Sequence, residues 1–190
     1  MKRIILFILL ILACSSTFVF ADIDYLYFGT TGGFSSISNT PSFGFNTAYQ
    51  YMAALGNNTY FGLNSHADFS FQFASEDTDI STGAMVGPSL GFAFNPSNFL
   101  VFTVAPALYV ETGKADYAGF GMGLDVNHTL FLGTAKSFGI TFGATSYLMF
   151  AEISNKGSRR GFASDIVGYL GFTFRSGDYV GTTQTYYNIY

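Results

Sequence analysis

His66, Asp68 and Ser70 stand two apart in the run Asn64-Ser65-His66-Ala67-Asp68-Phe69-Ser70. They are the residue types of a nucleophile, its base and an orienting acid. Such a relay needs hydrogen-bond reach, about 3 Å. Side chains two apart on one face of a strand are separated by roughly 7 Å. The trio therefore reads as a polar cluster and not as a catalytic site. The other histidine, His128, has Leu130 two residues on, where a His–Ser pair would need a serine. No enzymatic activity is expected. Asp68, Glu111, Asp125 and Asp165 fall on the polar side of alternating runs, and Arg175 is the one base in phase with them. Acids buried without partners are costly. They are expected to meet water, a tyrosine hydroxyl or a cation, or to carry a proton. Rings of such acids favour cations, so a hydrated, weakly cation-preferring path stands beside the alternative of a plugged polar interior.

Glu76, Asp77 and Asp79 crowd one polar stretch, and Lys156, Arg159 and Arg160 another. The acids lack the spacing of a Ca²⁺ loop, and no cofactor or metal is expected. Both stretches read as solvated loop charge. The basic one is also placed to touch an anionic lipid or polymer.

Composition narrows the class. Of 190 residues, 49% are hydrophobic, 19% aromatic and 11% charged, against about a quarter charged in an average soluble domain. That excludes a disordered chain. A formal charge of -4 with no basic patch excludes a nucleic-acid binder.

Lys2 and Arg3 precede the unbroken apolar run Ile4 to Leu12, and Val19-Phe20-Ala21 supplies small-residue cleavage chemistry. Residues 1–21 read as a secretory leader, too short for a spanning helix of about 20 residues. Cys14, the sole cysteine, follows Ile11-Leu12-Ala13 in a loose bacterial lipobox. Its acylation is an alternative to ordinary cleavage.

The elements that carry these residues announce themselves by alternation. Phe61, Leu63, Ala67, Phe69, Phe71 and Phe73 oppose Tyr60, Gly62, Asn64, His66, Asp68, Ser70 and Gln72. Period two over a dozen residues is a strand signal. It recurs over about 23–34, 43–55, 60–73, 84–94, 100–110, 118–130, 138–150 and 162–174. Short turns such as Gly56 to Thr59 and Asn95 to Asn98 alternate with longer polar loops near 35–42, 74–82, 112–117 and 152–161.

The polar face decides which side meets water. It is Gly, Ser, Asn, Ala and Tyr with isolated acids and no strand-interior Lys, while the other face is crowded with Phe. A soluble lipocalin-like barrel would show Lys, Glu and Thr there. A membrane barrel reverses the pattern, and in lipid the sheet must close. Tyr60, Tyr109, Tyr117, Tyr147 and Tyr169 are expected inside beside glycines. Pro88 and Pro106 are expected to face lipid as close cross-strand neighbours. Each removes a ladder donor, which predicts a bulge or locally weakened pairing, or a side opening toward lipid.

With Gly168-Tyr169-Leu170-Gly171-Phe172-Thr173-Phe174 as a closing strand, the chain resembles the small eight-stranded outer-membrane proteins of bacteria. The likeness extends to spirochaete surface proteins. It implies an all-β, closed, antiparallel up-and-down transmembrane β-barrel of eight strands, monomeric, seated in outer-membrane lipid and inserted by the barrel-assembly machinery. The alternatives are ten strands, or eight plus an extra segment, because residues 175–190 continue past Phe174. The organisation is then a leader (1–21), a barrel (22–174) and an extension (175–190). The expected role is structural or surface-exposed, antigen- or adhesin-like. A narrow pore or small-solute transporter is the alternative, and an embedded lipid-modifying enzyme a weaker one.

Overall fold

The computed structural model describes residues 23–35, 40–56, 58–73, 78–112, 116–155 and 163–176. They form eight strands: β1 (Ile23–Ser35), β2 (Thr40–Ala54), β3 (Thr59–Phe73), β4 (Thr78–Asn95), β5 (Asn98–Thr112), β6 (Tyr117–Leu132), β7 (Phe138–Asn155) and β8 (Ala163–Ser176). Each pairs antiparallel with its sequence neighbours. β8 then returns to β1 and closes the barrel, from Asp24↔Ser176 to Ser35↔Asp165. Closure uses both edges of the sheet, so residues 23–35 lie inside it and no edge is left for a ninth strand. The leader, Cys14 and residues 177–190 lie outside the described residues, as do Glu76, Asp77, Lys156, Arg159 and Arg160.

Alternation sets the two faces. Odd residues of β1 and β5 and even residues of β2 and β3 are buried, while their neighbours are exposed. Every strand contributes large apolar side chains to the outside. Phe28, Phe45, Phe69, Val86, Val104, Val126, Phe142 and Leu170 are each 40–58% exposed and together encircle the wall. Soluble monomers rarely show contiguous apolar patches above a few hundred Å². A continuous apolar band is the exterior of a barrel that sits in hydrocarbon.

The short turns are built from local chemistry. In the β4–β5 turn Asn95 Oδ1 accepts from Ser97 N–H at 2.8 Å and from Asn98 Nδ2 at 2.9 Å, an Asx turn. The β6–β7 turn uses Gly133 at φ 67° and Lys136 at φ 50°, the left-handed region that glycine enters without strain.

Three strand ends depart furthest from the sequence expectation. β2 begins at Thr40, β4 at Thr78 and β7 runs on to Asn155, so the wall extends into three of the four stretches read as loops. Ladder hydrogen bonds belong to the backbone and persist where side chains no longer alternate in polarity. Over 79–83 the outer face mixes Ile80 with Thr82 against Asp79, Ser81 and Gly83 inside, so polarity barely alternates, yet burial does. One consequence is a correction. Asp79, read as solvated loop charge, is 2% exposed on the inner face and pairs in register with Gln72.

Pro88 and Pro106 are both exposed on the outer face. The β4–β5 register runs from Ile80↔Thr112 to Met85↔Ala107 and resumes at Ser89↔Thr103, with no pairing across 86–88 and 104–106. The same offset holds on both sides of the gap, which sets Pro88 opposite Val104 and Pro106 opposite Val86. The ladders to β3 and β6 run unbroken past them, at Leu63↔Pro88 and Pro106↔Met122. The missing N–H donors therefore belong to the β4–β5 seam. The pairing is weakened without a bulge. The β4–β5 irregularity lies instead at Ala93/Asn95, beside the turn, and two more occur at the outer end of β6.

Candidate functional site

The polar residues converge in the lumen, which is built in three layers. The layer nearest the short turns is aromatic. Tyr25 lies against Phe99 at 5.1 Å and Phe131 at 5.5 Å between ring centroids, and Tyr60 meets Phe99 edge-on at 5.3 Å. Ile23, Met52, Ala93 and Val101 complete the cluster. Arg175, half-buried, lays its guanidinium 5.1 Å over the Phe131 ring and donates to Ala135 O at 3.5 Å. It caps this plug and does not stand beside the acids.

The middle layer is organised by Asp125. A carboxylate offers about four acceptor sites, and four donors from four strands approach it. Asn127 Nδ2 donates to Oδ2 at 2.8 Å and Asn64 Nδ2 to the same oxygen at 3.4 Å. Thr145 Oγ1 and Tyr169 OH each donate to Oδ1 at 2.8 Å. His66 Nδ1 stands 4.0 Å from Oδ1, with its Nε2 3.4 Å from Thr145 Oγ1. Asn64 also reaches Thr103 at 3.0 Å, which bonds to Ser89 at 2.8 Å. Charge-assisted bonds of this kind are the strong ones in a low-dielectric interior.

The layer toward the long loops holds the other acids among tyrosines. Glu111 Oε2 accepts from Ser35 Oγ and Gln72 Nε2, both at 3.0 Å, and from Tyr109 OH at 3.2 Å. Tyr147 OH donates to Asp68 Oδ2. Asp165 lies on the inner face of β8, in register with Tyr147 on β7. One oxygen of each of Asp68, Glu111 and Asp165 has no hydrogen-bond partner among the described residues. No group of three or more His, Cys, Asp or Glu among the described residues has the geometry to hold a metal ion.

Each candidate lumen residue is buried: His66, Asp68, Glu111, Asp125 and Asp165 are all 3% exposed or less. They do not form one constellation. His66 goes to Thr145 and Asp125, Asp68 to Tyr147, and Ser70 to Thr31 Oγ1 at 3.3 Å. The three residues that are in sequence a possible relay have three different partners. His128 faces outward, edge-on to Phe142 at 5.2 Å. The residues that give the acids their partners (Asn64, Asn127, Thr145, Gln72 and Ser35) were not singled out from the sequence. Their phase in the alternation placed them inside, but nothing local says which acid they meet.

Tyrosines fill the remaining space because glycines face them. A Cβ on Gly83 would lie 2.5 Å from Tyr147 Cζ, and one on Gly143 2.6 Å from Tyr169 Cζ. Between Tyr25, Tyr27, Gln50, Asn127, Thr141 and Tyr169 a cavity of about 10 Å³ remains. That is at the lower edge of the ~10–15 Å³ a single water needs.

Solved structures share this architecture. Ail, the attachment invasion locus protein of Yersinia pestis in complex with the heparin analogue sucrose octasulfate, matches at a TM-score of 0.55 and 10% identity over 83% of this chain and 100% of its own. The outer membrane protein OprG from Pseudomonas aeruginosa matches at 0.53 and 6% identity over 83% and 97%. The chain has the fold of the small bacterial outer-membrane barrels. With its apolar exterior, that fold puts the barrel in the bacterial outer membrane. No protein-family model matches the chain, and no curated protein matches it. At such low identities the likeness is one of fold, and the barrel's own chemistry rests on the residues above.

Proposed function

We propose that this barrel is a non-conducting outer-membrane protein with a structural or surface-exposed role, its interior serving as a packed core and its long-loop end as the working surface. The observation that carries this is the filled lumen. An aromatic plug closes one end, and tyrosines pack against glycines through the rest. Eight strands leave an interior that side chains can fill, and the plug with the tyrosine–glycine packing supports a filled interior here. The buried acids serve as acceptors that tie distant strands together, as Asp125 does for β3, β6, β7 and β8.

The alternative, a weakly cation-preferring pore, draws support from the unpartnered oxygens of Asp68, Glu111 and Asp165. Planar-bilayer recording separates the two. The refolded, heat-modifiable barrel should be silent. Discrete cation-preferring steps that shrink in Asp68→Asn or Asp165→Asn would overturn the proposal. A surface role fits the basic stretch Lys156, Arg159 and Arg160, between β7 and β8. An anionic polymer is the chemistry it would take. Retention on immobilised heparin that is lost when all three become serine supports that reading, and unchanged retention removes it.

A further inference from the structure

The outer wall carries a hollow of about 270 Å³ across β4, β5 and β6. Its sides are the outward-facing Ala84, Val86, Pro106, Leu108 and Phe120, with Met85 and Ala107 at its floor. The register explains its shape. Ala84, Leu108 and Phe120 are direct cross-strand neighbours in one row. The next row toward the short turns holds Val86 opposite Pro106, at the gap in the β4–β5 ladder. Ala84 and Pro106 are short side chains of the outer face at this place, and Ala67 on β3 continues the row beyond Ala84. Phe120, opposite Leu108 in the regular β5–β6 ladder, forms the far side. Short side chains and a proline seam together open the notch.

We infer that this notch is a binding site for one acyl chain of an outer-leaflet membrane lipid. Every side chain that lines it is apolar. Apolar cavities of about 150 Å³ stay dry and take apolar ligands. The notch is continuous with the apolar band that is the barrel's interface with hydrocarbon, so the chain that fills it comes from the bilayer. It lies toward the long-loop ends of β5 and β6, the extracellular side of barrels of this architecture, which sets the chain in the outer leaflet. A held chain differs from the lipid around the rest of the barrel by contact on three sides.

The test is photolabelling of the full barrel in phosphatidylcholine vesicles in which part of the lipid bears a diazirine at mid-chain. Label should concentrate several-fold on peptides containing Ala84, Val86, Pro106, Leu108 and Phe120 over those containing Phe28, Leu170 and Phe172 on the opposite wall. Ala84→Phe fills the notch from the lipid side and should bring the label down to the belt average, and Val86→Phe is the second filling variant. Even labelling of the native barrel would overturn the site without recourse to any variant. Excess label that survives both variants would overturn it too, as would cross-links from the notch to a second copy of the chain.

Discussion

Replacing Asp125 tests the lumen most directly, because the structure predicts a difference between two substitutions at one position. In Asp125→Ala all four donors lose their acceptor. Two have another partner: Asn64 reaches Thr103 at 3.0 Å, and Thr145 reaches His66 at 3.4 Å. The Asn127 amide and the Tyr169 hydroxyl are left buried and unsatisfied at this position. At roughly 1–3 kcal/mol for each stranded donor, the alanine variant should lose about 2–6 kcal/mol. In Asp125→Asn the amide oxygen can take the place of Oδ2 and accept from Asn64 and Asn127. The new NH₂ then faces Thr145 and Tyr169, whose hydroxyls can accept as well as donate. Charge-assisted bonds become neutral ones, but a buried charge is removed, and the two effects oppose each other. The asparagine variant should stay within about 1–2 kcal/mol of wild type. Equilibrium urea unfolding in detergent micelles, read by the shift between folded and unfolded bands on unheated gels, gives the midpoints and slopes needed. If asparagine is as damaging as alanine, the bonds are not arranged as donors around one acceptor. If alanine costs under about 1 kcal/mol, Asp125 does not organise the layer.

Phe99→Ala removes the ring between Tyr25 and Tyr60 and should cost about 3–5 kcal/mol in the same assay; a variant that folds but stays electrically silent in a bilayer would show that the polar layers alone block ions. Gly83→Val places side-chain carbon where Tyr147 Cζ would be 2.5 Å and Asp68 Oδ2 2.8 Å from its Cβ, so folding yield in detergent should fall sharply. Pro106→Thr restores one donor to the β4–β5 seam and should stabilise by about 0.5–1.5 kcal/mol, with slower amide exchange at Val86 as the local readout. His128→Ala lies on the outer face and should change stability by no more than about 0.5 kcal/mol; a larger loss would assign the His128–Phe142 edge contact a structural weight its exposure does not suggest.

How much of this was legible differs from residue to residue. Tyr109 and Tyr147 were expected inside from alternation alone, and both are fully buried. Asp79 was misread because its neighbours Thr78, Ser81 and Thr82 are polar on both faces. Alternation is visible only where the two faces differ in polarity, whereas backbone pairing needs no such difference. Phe99 and Phe131 sit on the inner phase of strands whose other phenylalanines face lipid. A reading that assigned phenylalanine to the exterior overlooked the ring system that closes the lumen. Pro88 and Pro106 announced a weak seam, since a proline lacks its donor wherever it stands. Their true opposites, Val104 and Val86, awaited the register.

Period two is a property of adjacent residues, so composition and alternation by themselves determined that strands form and which side of each is apolar, while the choice of eight strands over ten waited for β8 to pair with β1. An apolar phenylalanine face and a lysine-free polar face determined that the outside is lipid. Partner choice across the lumen was decided only by closure. Ser35 meets Glu111, 76 residues away, and Tyr147 meets Asp68, 79 away, because the stagger of eight tilted strands sets which inward residues share a depth. The same stagger sets Ala84, Leu108 and Phe120 in one row on the wall. No residue carries that stagger in its own local pattern. It is a property of the whole ring of strands, fixed when β8 pairs with β1.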